Sequence, residues 1–257
     1  MNDQLPVVID RLGRWLRQAS KSPEAHEVHR LRTSVRRIEV LLGRRLQQDE
    51  KLERQLRQLR RRAGRVRDLD VQTEQLTQLH LESDQGRRAL LALMEEERKQ
   101  QARKLRKRLD ADHRRSLMRR VRAAAKRRAA VSRVESEGLA GLWRRFPALN
   151  GANLHDFRKA CKQLRYLAEA HGAGVEQAVL AEALHRVQDT IGTWHDFSEL
   201  QQRARDSKVA GAALQAAIDN AVTSHFAAAL HSAERLRKAP MGHAGPVPVN
   251  AAARASA

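Results

Sequence analysis

A chain of 257 residues with 50 Lys and Arg against 30 Asp and Glu carries a formal net charge of +20. Its one cysteine excludes an intrachain disulfide, and no stretch approaches the roughly 18 apolar residues that a membrane-spanning helix needs. Because so basic a chain repels itself, the charge predicts a polyanionic partner, and cysteine usage predicts a cytoplasmic protein.

The composition also favours one class of fold. Leu, Ala, Arg, Gln and Glu, which are good helix formers, dominate the chain, whereas aromatic residues make up 3% of it. No segment shows the sustained alternation of apolar and polar residues that is typical of a strand. The sequence therefore predicts an all-α protein.

Helical periodicity and breaking residues divide the first half into elements. Ser22 is predicted to be an N-cap, with Pro23 at the first helical position. Gly64 is expected to end a helix, and a kink is expected near 110–113. The predicted helices cover residues 5–19, 23–45, 49–63, 67–79 and 87–130.

The second half follows a connector at 135–153 that is rich in Gly, Pro and Asn. The tail, residues 239–257, has many breakers and no periodicity, so it is expected to be disordered. The predicted helices of this half cover residues 154–171, 175–190, 194–206 and 209–238.

Two sets of motifs recur in the same order along the chain. His29 is followed after 35 residues by Gly64, and His155 is followed after 37 residues by Gly192. An aspartate lies four residues after each glycine. Such a repeat predicts a tandem duplication.

The duplication predicts the architecture of the chain. We expect one domain over 1–238, built from two modules at about 5–130 and 136–238. Each module is expected to be an antiparallel helical bundle, and the two are expected to be pseudo-symmetric around a basic groove or channel.

The polar residues of the repeat share one helix face. At 100° per residue, the histidine and the two cations of each copy lie within an arc of about 60° that borders the apolar stripe. Their side chains suit phosphate oxygens, so two such rows predict a ligand with repeated anionic groups. A histidine with two arginines is by itself more often a solvated helix edge, and the repetition is what favours a site. The rows are His29, Arg32 and Arg36, and then His155, Arg158 and Lys162.

These segments resemble the CHAD domain, the conserved histidine α-helical domain. The likeness covers about residues 5–238 and rests on four segments: VHRLRTSVRRIEVLL, GRVRDLDV, LHDFRKACKQLRYLAEA and IGTWHDFSEL. It implies two helical bundles with a basic central cavity that binds inorganic polyphosphate. It also implies association with polyphosphate or polyhydroxyalkanoate granules.

The resemblance assigns binding residues position by position. Arg67 and Asp68 match the R-D-x-D-V segment of the family, and Asp68 is expected to pair with a basic neighbour. The second copy departs from the first: Ser198 stands where Asp70 stands, and Glu39 matches Arg165. Unequal contributions of the two halves are therefore expected. The implied polyphosphate-binding residues are His29, Arg32, Arg36, Arg37, Arg67, His155, Arg158, Lys159, Lys162 and Arg165.

The sequence thus predicts a polyphosphate-binding protein that is not an enzyme and needs no cofactor or metal. The alternative is a nucleic-acid-binding or granule-coating protein that uses the same charge without selectivity. The basic run at 103–108 either lines the cavity or forms a charged helix face, and both interpretations stay open.

Two short motifs point to other chemistry and are set aside. Residues 95–99, EEERK, match the E-x-E-x-K of triphosphate tunnel enzymes, but that motif needs a strand and here lies in a helical pattern. His26 and His29 are one residue short of the H-E-x-x-H zinc spacing.

Overall fold

A computed structural model describes residues 4–79, 81, 85–127, 153–154, 156–158, 160–161 and 175–238. The described residues are helices and short connectors, and they contain no strand, as an all-α fold requires. The chain divides into two compact units, one of Met1–Ser132 with Asp196–Ala221 and one of Arg133–His195 with Val222–Ala257. The predicted connector at 135–153 and tail at 239–257 lie mostly or wholly outside the described residues, and the boundaries of the two modules stay a prediction.

Apart from one four-residue turn, the described helices are 16 to 33 residues long. Asp49 caps the helix Glu50–Gln78 by accepting a hydrogen bond from the Leu52 amide at 3.0 Å. The helices are α1 (Gln4–Lys21), α2 (Ala25–Leu42), α3 (Arg44–Gln47), α4 (Glu50–Gln78), α5 (Gln85–Arg108), α6 (Ala111–Lys126), α7 (Val175–Ser207) and α8 (Ala212–Lys238).

The first unit is organised around α2 and α4. Helix α2 packs against α1 and α4, α4 also packs against α5, and α6 packs against α1. The apolar stripe predicted for α2 is confirmed, because Val28, Leu31, Val35, Ile38 and Leu42 are all buried. Burial of such side chains is worth roughly 1.5–3 kcal/mol each and holds the helices together.

Both predicted ends of the second helix were wrong. Ser22 does not cap it, because its hydroxyl donates to the Glu24 carboxylate at 2.7 Å, and Glu24 is the residue before the helix. Pro23 lies in the connector and not in the first turn. The helix ends at Leu42 and not near 45, because Gly43 adopts φ +47° and ψ −126°, which a side chain would disfavour.

Gly64, which was expected to end a helix, and Gly192, which falls between the predicted helices 175–190 and 194–206, both lie inside helices. Gly64 is in the interior of α4, and Gly192 is in the interior of α7. A glycine costs a helix only about 1 kcal/mol relative to alanine, which packing along a long helix outweighs. Asp68 and Asp196 are therefore mid-helix residues and do not cap new helices.

The break expected near 110–113 is confirmed. Helix α5 ends at Arg108 and α6 begins at Ala111. Asp110 caps α6, because its carboxylate accepts a hydrogen bond from the His113 amide at 2.7 Å. Leu109 is buried at this junction, which anchors the change of direction in the core.

In the second unit, the described residues form a smaller core. Leu154, Phe157 and Cys161 are buried with residues of α7 and α8, as the helical wheel predicted. Burial raises the pKa of the Cys161 thiol to about 12, so this thiol behaves as an apolar side chain. No described helix is both long and apolar enough to cross a membrane.

Candidate functional site

The first predicted row lies on α2 where this helix runs along α4. A Cβ atom placed on Gly64 of α4 would lie 3.8 Å from Arg32 Nε, so the guanidinium passes directly over the glycine. Further along, Arg60 of α4 forms an ion pair with Glu39 of α2, with 3.0 Å between nitrogen and oxygen. Residue 32 thus meets 64 and residue 39 meets 60, so the two helices are antiparallel.

This packing gives Gly64 a structural role that the sequence did not reveal. Asp68 Oδ2 would lie 3.9 Å from the same added Cβ, one turn further along α4. The line of contact between these two helices is called the α2–α4 seam. The absence of a side chain at Gly64 lets a buried part of Arg32 cross this seam close to Asp68. The sequence predicts that Gly64 interrupts a helix, whereas in the structure Gly64 allows the Arg32 side chain to approach the α4 backbone closely.

His29 lies at the end of the row where cations are crowded. Partial burial of the imidazole is the largest cause that lowers its pKa, and the positive charges of Arg67, Arg30 and Arg32 lower it further. Arg67 of α4 therefore acts on His29 across the seam, as the antiparallel register requires. In the absence of an anion, the imidazole is held in its neutral form at pH 7.

Two cations of the predicted site are available to a ligand. Arg36 and Arg67 are half-buried, and neither forms a hydrogen bond or an ion pair with a described residue. Arg37 is exposed and lies about 100° around α2 from Arg36, on the side that faces away from the seam. The structure thus brings Arg67 to the seam with His29 and Arg32, helix geometry places Arg36 about 40° around α2 from Arg32, and Arg37 stays a prediction.

A largely buried ion pair connects α4 and α5 to the connector before α2, close to where the row begins. Arg98 of α5 donates to Asp70 of α4 at 2.6 Å and to the carbonyl oxygen of Pro23 at 3.1 Å. Burial raises the pKa of the Asp70 carboxyl, and Arg98 opposes this effect. This pair lies at Asp70, the second aspartate of the R-D-x-D-V segment, and the expected pairing of Asp68 stays a prediction. The partner of Asp70, Arg98, carried no sequence signal, because basic residues occur throughout the chain.

The described part of the second row repeats one contact of the first. A Cβ atom placed on Gly192 of α7 would lie 3.3 Å from Arg158 Nη2, so this arginine also passes over a helix glycine. The contact is tighter than the one at Gly64, since 3.3 Å is shorter than 3.8 Å. The side chains of His155, Lys159, Lys162 and Arg165 lie outside the described residues.

The comparison with family models gives a match described as the CHAD domain, over residues 6–205. The chain belongs to the CHAD family. Neither the comparison with curated proteins nor that with solved structures found a match. The match spans the α2–α4 seam, Arg158 and Gly192, so the CHAD assignment covers every described residue of the predicted rows.

The motif that resembles a triphosphate tunnel enzyme is helical in this CHAD protein. Residues 95–99 lie within α5, where Glu95 and Lys99 form an exposed ion pair at 2.8 Å. Glu97 instead forms an ion pair with Arg203 of α7. Glu97 therefore points away from the face that carries Glu95 and Lys99, and the three side chains do not converge as they would on a strand.

His26, the first of the two closely spaced histidines, contacts an aromatic ring and an arginine. The His26 ring lies edge-on to Trp15 at a centroid distance of 5.2 Å, and Arg30 donates to its Nε2 at 3.3 Å. Within the described ranges, no group of three or more His, Cys, Asp and Glu side chains could hold a metal ion.

Proposed function

We propose that this CHAD protein binds inorganic polyphosphate along the α2–α4 seam and does not act on it chemically. The observation that carries the proposal is the half-buried pair Arg36 and Arg67, neither of which has a protein hydrogen-bond partner among the described residues. Partly desolvated guanidinium groups form strong, bidentate hydrogen bonds with phosphate oxygens. A phosphate chain would supply the anions that these groups lack.

The length of the row favours a chain over a single phosphate. Residues 29 and 36 are seven apart, which corresponds to about 10 Å along α2. A monophosphate would contact one end of this row, whereas consecutive phosphates can contact all of it. These like charges repel one another in the free protein, and a ligand that spans the row would reduce that repulsion along its whole length.

The second half supports a duplicated site. Arg158 lies over Gly192 as Arg32 lies over Gly64, and each pair belongs to the corresponding motifs of its half. We therefore propose that the modules are tandem copies related by pseudo-symmetry, and that the second row contributes to a common basic groove or channel. Because the chain belongs to the CHAD family, we also propose that polyphosphate-containing or polyhydroxyalkanoate granules in the cytoplasm recruit the protein.

The proposal is tested by the salt dependence and selectivity of binding. Polyphosphate affinity should fall steeply as salt rises, with a log–log slope of about −0.7 for each phosphate contact, as for single-stranded nucleic acids. Isothermal titration calorimetry at several salt concentrations measures that slope.

Competition distinguishes selective binding from general attraction to polyanions. Polyphosphate should displace bound single-stranded DNA or RNA at a much lower phosphate concentration than nucleic acid needs for the reverse displacement. Equal displacement would support the non-selective nucleic-acid-binding alternative. Release of orthophosphate in the presence of magnesium would contradict the non-catalytic part of the proposal.

Binding is also expected to take up protons through His29. The pKa of His29 is lowered in the free protein, and a bound phosphate chain should raise it by supplying negative charge. The imidazole therefore gains a proton on binding, and affinity should increase as the pH falls from about 7.5 toward the unperturbed histidine pKa of about 6.5. Calorimetry in buffers with different ionisation enthalpies measures this uptake.

A His29→Gln variant is the control for protons taken up elsewhere, including by the ligand. The variant should bind polyphosphate with a weaker pH dependence than the wild type. The same proton uptake in both proteins would show that His29 is not part of the contact.

A further inference from the structure

A second basic surface lies in the first unit, outside the α2–α4 seam. It is a groove of about 770 Å³ between α1 and α6. Its floor is formed where the helices approach closely, since a Cβ atom on Gly13 of α1 would lie 3.3 Å from Met118 Cε of α6. Its cationic walls are Arg14 and Arg17 of α1 and Arg115, Arg119, Arg122 and Lys126 of α6.

The cations of α6 form a regular row. Residues 115, 119, 122 and 126 fall within an arc of about 60° and extend about 16 Å along the helix axis. The two arginines on α1 lie on the other side of the same groove. A linear anion in the groove would therefore meet positive charge from both sides along its length.

Protein carboxylates neutralise only part of this charge, since Asp10 also lines the groove and Arg115 forms an ion pair with Asp112. The side chains of Arg14, Arg17, Arg119, Arg122 and Lys126 form no hydrogen bond or ion pair with a described residue, and all five are exposed. Some exposed cations elsewhere in the unit do have such partners, as Arg57 has Glu53 and Lys99 has Glu95. Like charges at i, i+3 and i+4 spacing repel each other, so an anion that binds here relieves that repulsion.

A neighbouring arginine fixes the relative position of the two helices. Arg114 donates to the Ser20 hydroxyl at the end of α1 and to the Leu109 carbonyl oxygen, the latter at 3.1 Å. The contact between α1 and α6 at the base of the groove is thus held by side-chain hydrogen bonds as well as by packing.

We propose that the α1–α6 groove is a second polyanion site, which holds another stretch of an inorganic polyphosphate chain. The choice of ligand rests on the proposed function, whereas the site shares no residue with the α2–α4 seam. No aromatic side chain lines the groove, so it offers no platform for nucleic-acid bases. A chain of bare phosphates needs only the cations that are present.

The test compares the wild type with a groove variant, Arg119→Gln, Arg122→Gln, Lys126→Gln, and with a seam variant, Arg36→Glu, Arg67→Glu. A short polyphosphate is titrated into each full-length protein by calorimetry. The wild type should bind one more short chain per protein than either variant does. A long polyphosphate should bind the groove variant at least tenfold more weakly, because linkage of the two sites is lost.

A matched variant, Lys51→Gln, Arg54→Gln, Arg88→Gln, removes the same charge from exposed residues of α4 and α5 outside the groove. It should bind like the wild type. Folding is checked separately: the groove variant should melt at the same or a higher temperature than the wild type at low salt, because like-charge repulsion is reduced. A lower melting temperature would contradict the unneutralised charge on which the inference depends.

The outcomes separate the two proposals. If the groove variant binds as many short chains as the wild type, or if the matched variant loses as much affinity, the groove inference is wrong and the seam proposal stands. If the seam variant binds normally while the groove variant does not, the groove is the polyphosphate site and the seam proposal fails. Single-stranded DNA is titrated in the same way. If the groove variant loses affinity for DNA but not for polyphosphate, the groove is a nucleic-acid site and the inference is overturned.

Discussion

Replacing Arg36 and Arg67 together by glutamate is expected to weaken polyphosphate binding by about 100-fold or more near 0.15 M salt. A hydrogen bond to a charged group contributes about 1.5–3 kcal/mol, so the loss of two corresponds to at least about 3 kcal/mol. The new carboxylates would also repel the phosphate chain. Calorimetry or fluorescence anisotropy with labelled polyphosphate measures the change.

The double variant should remain folded, because neither arginine forms a hydrogen bond or an ion pair with a described residue. Its circular dichroism and melting temperature are the checks. The matched control is Lys51→Glu, Arg54→Glu, which makes the same charge change on exposed residues near the start of α4, where acidic side chains suit the helix dipole. An equal loss of affinity in this control would show that net charge, and not the seam, determines binding.

The second large effect is expected on stability. Asp70→Ala should lower the free energy of unfolding by about 2–4 kcal/mol, because it leaves the Arg98 guanidinium without its carboxylate. The Asp70 side chain is 6% exposed and that of Arg98 is 22% exposed, so water can compensate only in part. Urea denaturation of the variant and the wild type measures the difference.

Two further variants make the cause of this loss identifiable. Glu53→Ala removes the partner of Arg57 in an exposed pair and should cost less than about 1 kcal/mol. Asp70→Leu combined with Arg98→Met replaces the buried pair by apolar side chains and should recover part of the stability. If Asp70→Ala lowered the free energy of unfolding no more than Glu53→Ala does, the Asp70–Arg98 pair would not be an important contribution to stability.

The sequence predicted the features that depend on local patterns. The apolar stripe of α2 is periodic, and its five predicted core residues are buried. Asp110 is a good N-cap at a point where the helical pattern shifts, and α6 begins directly after it. Such signals lie within one or two turns of the chain and need no tertiary contact to be recognised.

The errors came where tertiary packing outweighs a local preference. Gly64 and Gly192 stay helical because each lets an arginine of another segment cross close to the backbone, a contact that the propensity of glycine does not reveal. Pro23 was placed in the first turn of α2 by its usual preference, but it lies before the helix, where its carbonyl oxygen accepts a hydrogen bond from Arg98.

The candidate sites were only partly predictable for a related reason. The row on α2 stood out because a histidine and two cations recur in the second half. The groove cations on α1 and α6 have no comparable pattern, and in a chain with 50 basic residues their type carries little information. Their lack of carboxylate partners and their shared groove are properties of the folded protein alone.

The kind of cation at these surfaces also bears on how the protein can be regulated. The positive charge of the α2–α4 seam comes from Arg32, Arg36 and Arg67, and that of the α1–α6 groove comes from arginines and Lys126. Acetylation removes the charge of lysine, whereas methylation leaves arginine charged. Enzymes that acetylate lysine can therefore neutralise Lys126 but none of the three seam arginines. Release of a polyphosphate chain from the seam is instead expected to depend on pH, on salt concentration and on competing anions.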